Sequence, residues 1–270
     1  MNEDLNRRTL LNAETAPPVA GYTSRIQKGG ALSEEMRELV RLWTDAPLTE
    51  NKAEVIRMNP LNKSTRARVV DVLNRIFVPR FIEGSIRDSW KLLRPLEDLK
   101  ASSAVVRPIY FWLTARAEPL VYDFCTDYLA SRRRQGLYAV SVTEAAAWVA
   151  SKTAQWSENV NIKVTRAILA ALRDFGVLEG RARKTLSSPA VPLPSFAYIA
   201  FCLHQCGVAA RNILDHPDWR LFLLDAAAVE HLLLEAHQLR LLEYQAAGSV
   251  VNLSFPVSTA KEYAHVVLGR

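Results

Sequence analysis

A chain of 270 residues that is 49% hydrophobic has room for one large domain or two modest ones, and a core of that size needs no disulfide or metal staple. Its formal charge of +6 favours a polyanionic partner, and the charge is uneven: residues 1–184 hold 29 Lys and Arg against 21 Asp and Glu, residues 185–270 hold 5 against 7. Three cysteines, Cys125, Cys202 and Cys206, cannot all pair with one another and the chain opens without an apolar secretory segment, so a reducing cytosol is expected.

Residues 1–20 are polar, end in Ala16-Pro17-Pro18 and read as a flexible arm. Beyond Gly29-Gly30, Leu32, Met36, Leu39, Val40 and Trp43 recur at helical spacing, with Glu34 and Glu35 suited to the first turn and Pro47 closing the segment. Arg25 and Lys28 precede those glycines. Bare N–H groups at a helix start attract phosphate, and a turn that needs positive φ explains the same glycines equally well. A second helix over Asn51–Met58, a turn through Asn59–Lys63 and a restart with Ser64 as N-cap give the outline of a helix-turn-helix. Lys63, Arg66, Arg68 and Arg75 make this stretch a nucleic-acid candidate, although Asp71 gives it the mixed-sign face of an ordinary solvated helix. Further helices are expected around Ile86–Leu93, Ile109–Ala115 and Leu120–Arg134, the last closed by Gly136.

The most informative segment follows. Ser141-Val142-Thr143-Glu144 fits a capping box that opens a helix over Val142–Ala154. After a break near Trp156-Ser157, a helix over Asn159–Phe175 leads into a candidate hairpin, Gly176–Gly180 with Thr185-Leu186, which is the only strand signal read in the chain. At about 100° per residue, Val164, Ile168, Leu172 and Phe175 share one sector. Asn159, Lys163, Arg166, Ala170 and Arg173 fall opposite, a face without a carboxylate. Arg and Lys reach phosphates and guanine edges and Asn pairs with adenine, so this order of elements suits the recognition helix of a winged helix. Arg181, Arg183 and Lys184 lie where a wing touches the adjoining backbone.

The stretch Thr185–Ala210 has no charged side chain, but Pro189, Pro192 and Pro194 leave only Ser195–Ala210 as continuous helix, shorter than the roughly 20 apolar residues a membrane span takes. A buried core helix is expected. Cys202 and Cys206 share a helical face from which His204 points away, so a zinc site is not expected and two buried thiols are. Phosphate-binding loops, the nucleophile elbow and the zinc-protease motif are all missing, which leaves no expected catalytic residue, metal or cofactor.

The run Gly21-Tyr22-Thr23-Ser24-Arg25-Ile26-Gln27-Lys28-Gly29-Gly30-Ala31-Leu32, with Glu35, Arg37 and Trp43 on the next helix and Asn59-Pro60-Leu61-Asn62-Lys63-Ser64 after it, resembles the start of BrxA proteins of the BREX phage-defence systems. The likeness is specific over about residues 21–80. It implies an all-helical, two-module protein without catalysis of its own, binding double-stranded DNA beside a methyltransferase, an ATPase and a phosphatase-like component. The family also carries an inner-membrane label, which the length argument rejects, and a NusB-like comparison that keeps RNA open as a partner.

The combined expectation is an all-α protein with a small wing. Residues 1–20 form the arm, 21–135 a helical module with a helix-turn-helix-like segment, and 136–270 a module with a winged-helix-like segment. Lys163, Arg166, Arg173, Arg181, Arg183 and Lys184 are the principal DNA contacts. An assembly factor or an RNA-binding regulator is the rival reading.

Overall fold

Amphipathic helices form wherever apolar residues recur at helical spacing, and the chain is mostly helical. The computed structural model describes residues 21–187, 191–248 and 250–270, so the arm expected over 1–20 lies outside the described residues. Helix α1 (Ser33–Leu42) buries Met36, Leu39 and Val40 and carries Glu34 and Glu35 in its first turn. Helix α2 (Leu48–Met58) ends on Asn59 in the left-handed conformation. Helix α3 (Arg66–Val72) starts one residue later than expected: Thr65, not Ser64, is the N-cap, its hydroxyl accepting the Arg68 N–H. It runs on into a π-helical stretch, Leu73–Ile82, that contains Pro79. Proline donates no hydrogen bond and crowds the preceding turn, which a wider turn accommodates.

Helix α4 (Trp90–Asp98) begins four residues beyond the expected Ile86, because Asp88 adopts a positive φ that no helix continues through. Helix α5 (Ser103–Ala117) is longer than expected and is buried throughout Ile109–Ala117. After it, α6 (Pro119–Asp123) passes through a π turn (Phe124–Leu129) into α7 (Ala130–Arg134). Gly136, at φ +72°, closes that rod, the Leu137 N–H donating to Arg132 O.

Strand β1 (Ala139–Val140) leads into α8 (Val142–Lys152) and α9 (Glu158–Asp174), and then β2 (Leu178–Glu179) and β3 (Lys184–Leu186). The three strands form one antiparallel sheet in the order β1-β3-β2, with Ala139 opposite Thr185 and Leu178 opposite Leu186. The hairpin was expected; β1 was not, since two residues carry no readable alternation. Nor is the capping box closed. Ser141 accepts the Thr143 N–H, but Glu144 turns away to pair with Arg132 at 3.1 Å.

Helix α10 (Leu193–Gln205) is buried from Ser195 to Leu203, as a core helix should be. Then come α11 (Ala210–Leu214), a 3-10 turn (Pro217–Phe222) and α12 (Ala226–Gln238). A second hairpin, β4 (Glu243–Ala247) with β5 (Val250–Ser254), and α13 (Ala260–Leu268) complete the chain. Reading only one strand pair in the sequence was an error. Ala246 and Ala247 dilute the β-branched signal, and only Tyr244 and Leu253 of these strands are buried.

Helix α10 packs on α5 and on α13, and α13 packs on α4, so a single hydrophobic cluster spans both ends of the chain. Three carboxylates are sunk in it, each on arginine. Glu97 binds Arg37 at 2.8 Å and Arg41 at 2.7 Å, Glu118 binds Arg80 at 3.2 Å, and Asp218 binds Arg116 at 2.7 Å. Among the described residues no helix is long and apolar enough to cross a membrane.

Candidate nucleic-acid interface

The packing of α9 decides which of its residues meet solvent. Val164, Thr165, Ile168, Leu169, Ala171 and Leu172 are buried. Asn161, polar but inward, is held by the hydroxyl of Thr153, which lies 2.8 Å from its Oδ1 and 2.7 Å from Val149 O. This contact locks the end of α8 onto the first turn of α9. The opposite face is left to Asn159, Lys163 and Arg166, all exposed, and to Ala170 and Arg173, half-buried. Neither Lys163 nor Arg166 has an ion-pair partner among the described residues. Arg173 reaches Asp174 at 2.7 Å at the helix end.

Gly176 ends α9 in the left-handed conformation, and the Val177 N–H donates to Leu172 O. That turn throws the chain directly into β2. At the hairpin tip a Cβ on Gly180 would stand 2.0 Å from Arg183 O, so the turn needs both its positive φ and its missing side chain. Arg181 and Arg183 are exposed there and have no ion-pair partner among the described residues, while Lys184 is half-buried and donates to Arg181 O at 3.0 Å.

The N-terminal candidates are placed differently. Lys63 binds Glu35 at 2.8 Å, and Arg68 and Arg75 both bind Asp71, at 3.0 Å and 2.7 Å. Burial would raise the Glu35 carboxyl, but the Lys63 hydrogen bond, a backbone hydrogen bond and the charges of Lys63 and Arg68 together outweigh it and hold the group below its ordinary value. Arg66 is exposed beside them. Arg25 lies 3.8 Å from buried Glu118 and donates to Ala117 O, so it joins the core network rather than projecting from it. Of the paired glycines, Gly29 packs on Ile76, and Gly30 takes φ +56° while its N–H donates to Ile26 O, which is the behaviour of a turn. The Arg25–Lys28 turn itself packs against α9, which brings exposed Lys28 to the border of that helix. Sequence spacing could not bring these residues together, because about 130 residues separate them.

The arginine run Arg132-Arg133-Arg134 is partly spent as well: Arg132 binds Glu144, and Arg133 donates to Leu223 O at 2.9 Å. Cys125, Cys202 and Cys206 are buried free thiols, and among the described residues no group of His, Cys, Asp and Glu is placed to hold a metal ion.

These features describe a mostly helical protein in which α9 and the adjoining hairpin carry four exposed cations, Lys163, Arg166, Arg181 and Arg183, that form no ion pair among the described residues. The BrxA family profile matches residues 20–201, two thirds of the chain, and the chain belongs to the BrxA family. Membership implies a role in BREX phage defence and association with other BREX proteins. Comparison with curated proteins gives no match.

Proposed function

We propose that the chain is a non-catalytic, duplex-DNA-binding component of its defence system, with α8, α9 and the β1–β3 sheet acting as a winged helix. The observation that carries the reading is the exposed face of α9, where Lys163 and Arg166 stand beside Asn159 with no ion-pair partner among the described residues and the one carboxylate, Asp174, lies at the far end on Arg173. Arg181 and Arg183 at the hairpin tip are equally open. Cations already bound to carboxylates have less charge to offer a phosphate, so Lys163, Arg166, Arg181 and Arg183 are the main contacts. Lys28, Arg173 and Lys184 are secondary contacts, Arg66 is an exposed cation on α3 away from α9, and Arg25, Lys63, Arg68 and Arg75 hold the fold. Contacts of this kind neutralise phosphates and tolerate sequence, while Asn159 is the residue suited to a base edge.

The test is charge reversal. Lys163→Glu with Arg166→Glu is expected to abolish binding to a duplex of about 30 base pairs while the protein stays folded, since both side chains are exposed. Unchanged affinity would remove α9 from the interface. Competition by structured RNA that matches or exceeds the duplex would favour the RNA reading.

A further inference from the structure

A cleft of about 620 Å³ opens beyond the end of α9, walled by the first turns of α5, by the chain from Arg173 to Gly180, and by Val191 and Pro192. Two arginines line it, Arg107 from α5 and Arg173 from α9. Arg107 is exposed and makes no hydrogen bond or ion pair among the described residues. Its guanidinium rests against Gly176: a Cβ at that glycine would lie 3.4 Å from both Cζ and Nη2. Gly176 thus serves two ends, ending α9 with φ +82° and leaving the space that the guanidinium fills.

Arg107 takes no part in the buried polar contacts that Trp112 and Arg116 make from α5. Its guanidinium lines the cleft beside Gly176, and none of its N–H donors has an acceptor among the described residues. Arg173 is the second cation there, tied only to its surface neighbour Asp174. The one carboxylate lining the cleft is Glu179, which is exposed and forms no ion pair with either arginine. A planar guanidinium with free donors suits a tetrahedral oxyanion, and the cleft is lined both by Arg173 at the C-terminal end of α9 and by Leu178, Glu179 and Gly180 of the hairpin that carries Arg181 and Arg183.

We infer that Arg107 is a further phosphate-binding residue, which with Arg173 takes a backbone phosphodiester of the duplex at the C-terminal end of α9. The inference rests on the duplex-binding reading and extends its footprint from α9 onto α5, across more than 50 residues of sequence.

Its test is a salt series on the full chain with a duplex of about 30 base pairs, comparing wild type, Arg107→Ala, Arg107→Lys and the Lys163→Glu/Arg166→Glu pair. Loss of one phosphate contact lowers the slope of log K against log salt by about 0.9, so the fall in affinity between about 50 and about 200 mM salt should be about 3.5-fold smaller for Arg107→Ala. Arg107→Lys should keep the wild-type slope, and neither variant should shift the melting temperature, since the side chain is exposed and makes no hydrogen bond or ion pair among the described residues. Arg107→Ala with the wild-type slope and affinity overturns the inference and leaves the duplex reading standing if the charge-reversed pair has lost binding. A slope that falls as far in Arg107→Lys as in Arg107→Ala marks a structural effect and also overturns it. A wild type that binds no duplex overturns both.

Discussion

Asp218 has no exposed surface, yet its carboxylate accepts hydrogen bonds from Trp112 at 2.6 Å, Arg116 at 2.7 Å and Tyr122 at 2.9 Å. That one side chain joins the 3-10 turn at Pro217–Phe222 to α5 and α6, about 100 residues earlier in the chain. Asp218→Ala would leave the Arg116 charge buried without its counter-ion and should cost about 3–5 kcal/mol in denaturant unfolding. By contrast Lys163→Ala or Arg166→Ala, on exposed side chains, should stay within about 0.5 kcal/mol of wild type. The same experiment therefore separates cations that hold the fold from those free to bind. The three thiols give a second check at this scale. Burial pushes Cys206 up to about 12 and raises Cys125 and Cys202 as well, so no thiolate forms near neutral pH. A thiol reagent at pH 8 should leave all three unmodified in the native protein and label them on unfolding.

Single helices were legible where burial and solvent divide a long segment into two clear faces, as in α1 and α9, or where a long uncharged run demands burial all round, as in α10. Boundaries slipped where one residue's backbone overrode the pattern: Asp88 delayed α4, and Thr65 rather than Ser64 capped α3. Thr65→Ala should cost about 1 kcal/mol of stability through the lost cap. Strands were poorly legible because β1 has two residues and β4–β5 has one inward side chain per strand. The hairpin after α9 could be read from its paired glycines, and it offers a direct test of the wing. Gly180→Ala would set a methyl against Arg183 O and force a side chain to φ +84°, at a cost of about 2 kcal/mol or more. Thermal denaturation should show that loss, and duplex affinity should fall with it as Arg181 and Arg183 are displaced.

Over the whole molecule, the charge imbalance seen along the sequence becomes a division of labour that composition alone could not assign. Many of the cations in residues 21–135 are consumed by internal ion pairs; those of Asp71 follow helical spacing, whereas Glu35, Glu97 and Glu118 meet their arginines and lysine only through tertiary packing. The α9 face was legible because helical geometry places its residues without knowledge of the rest of the fold. Lys28 and Arg107 reach its borders only through tertiary packing. The most direct test of the central claim is the affinity of the full chain for a duplex of about 30 base pairs across a salt series, with the Lys163→Glu/Arg166→Glu pair beside it. Binding that weakens steeply with salt and is lost in the charge-reversed protein is the predicted result. No binding at low salt, or equal binding by the two proteins, would contradict it.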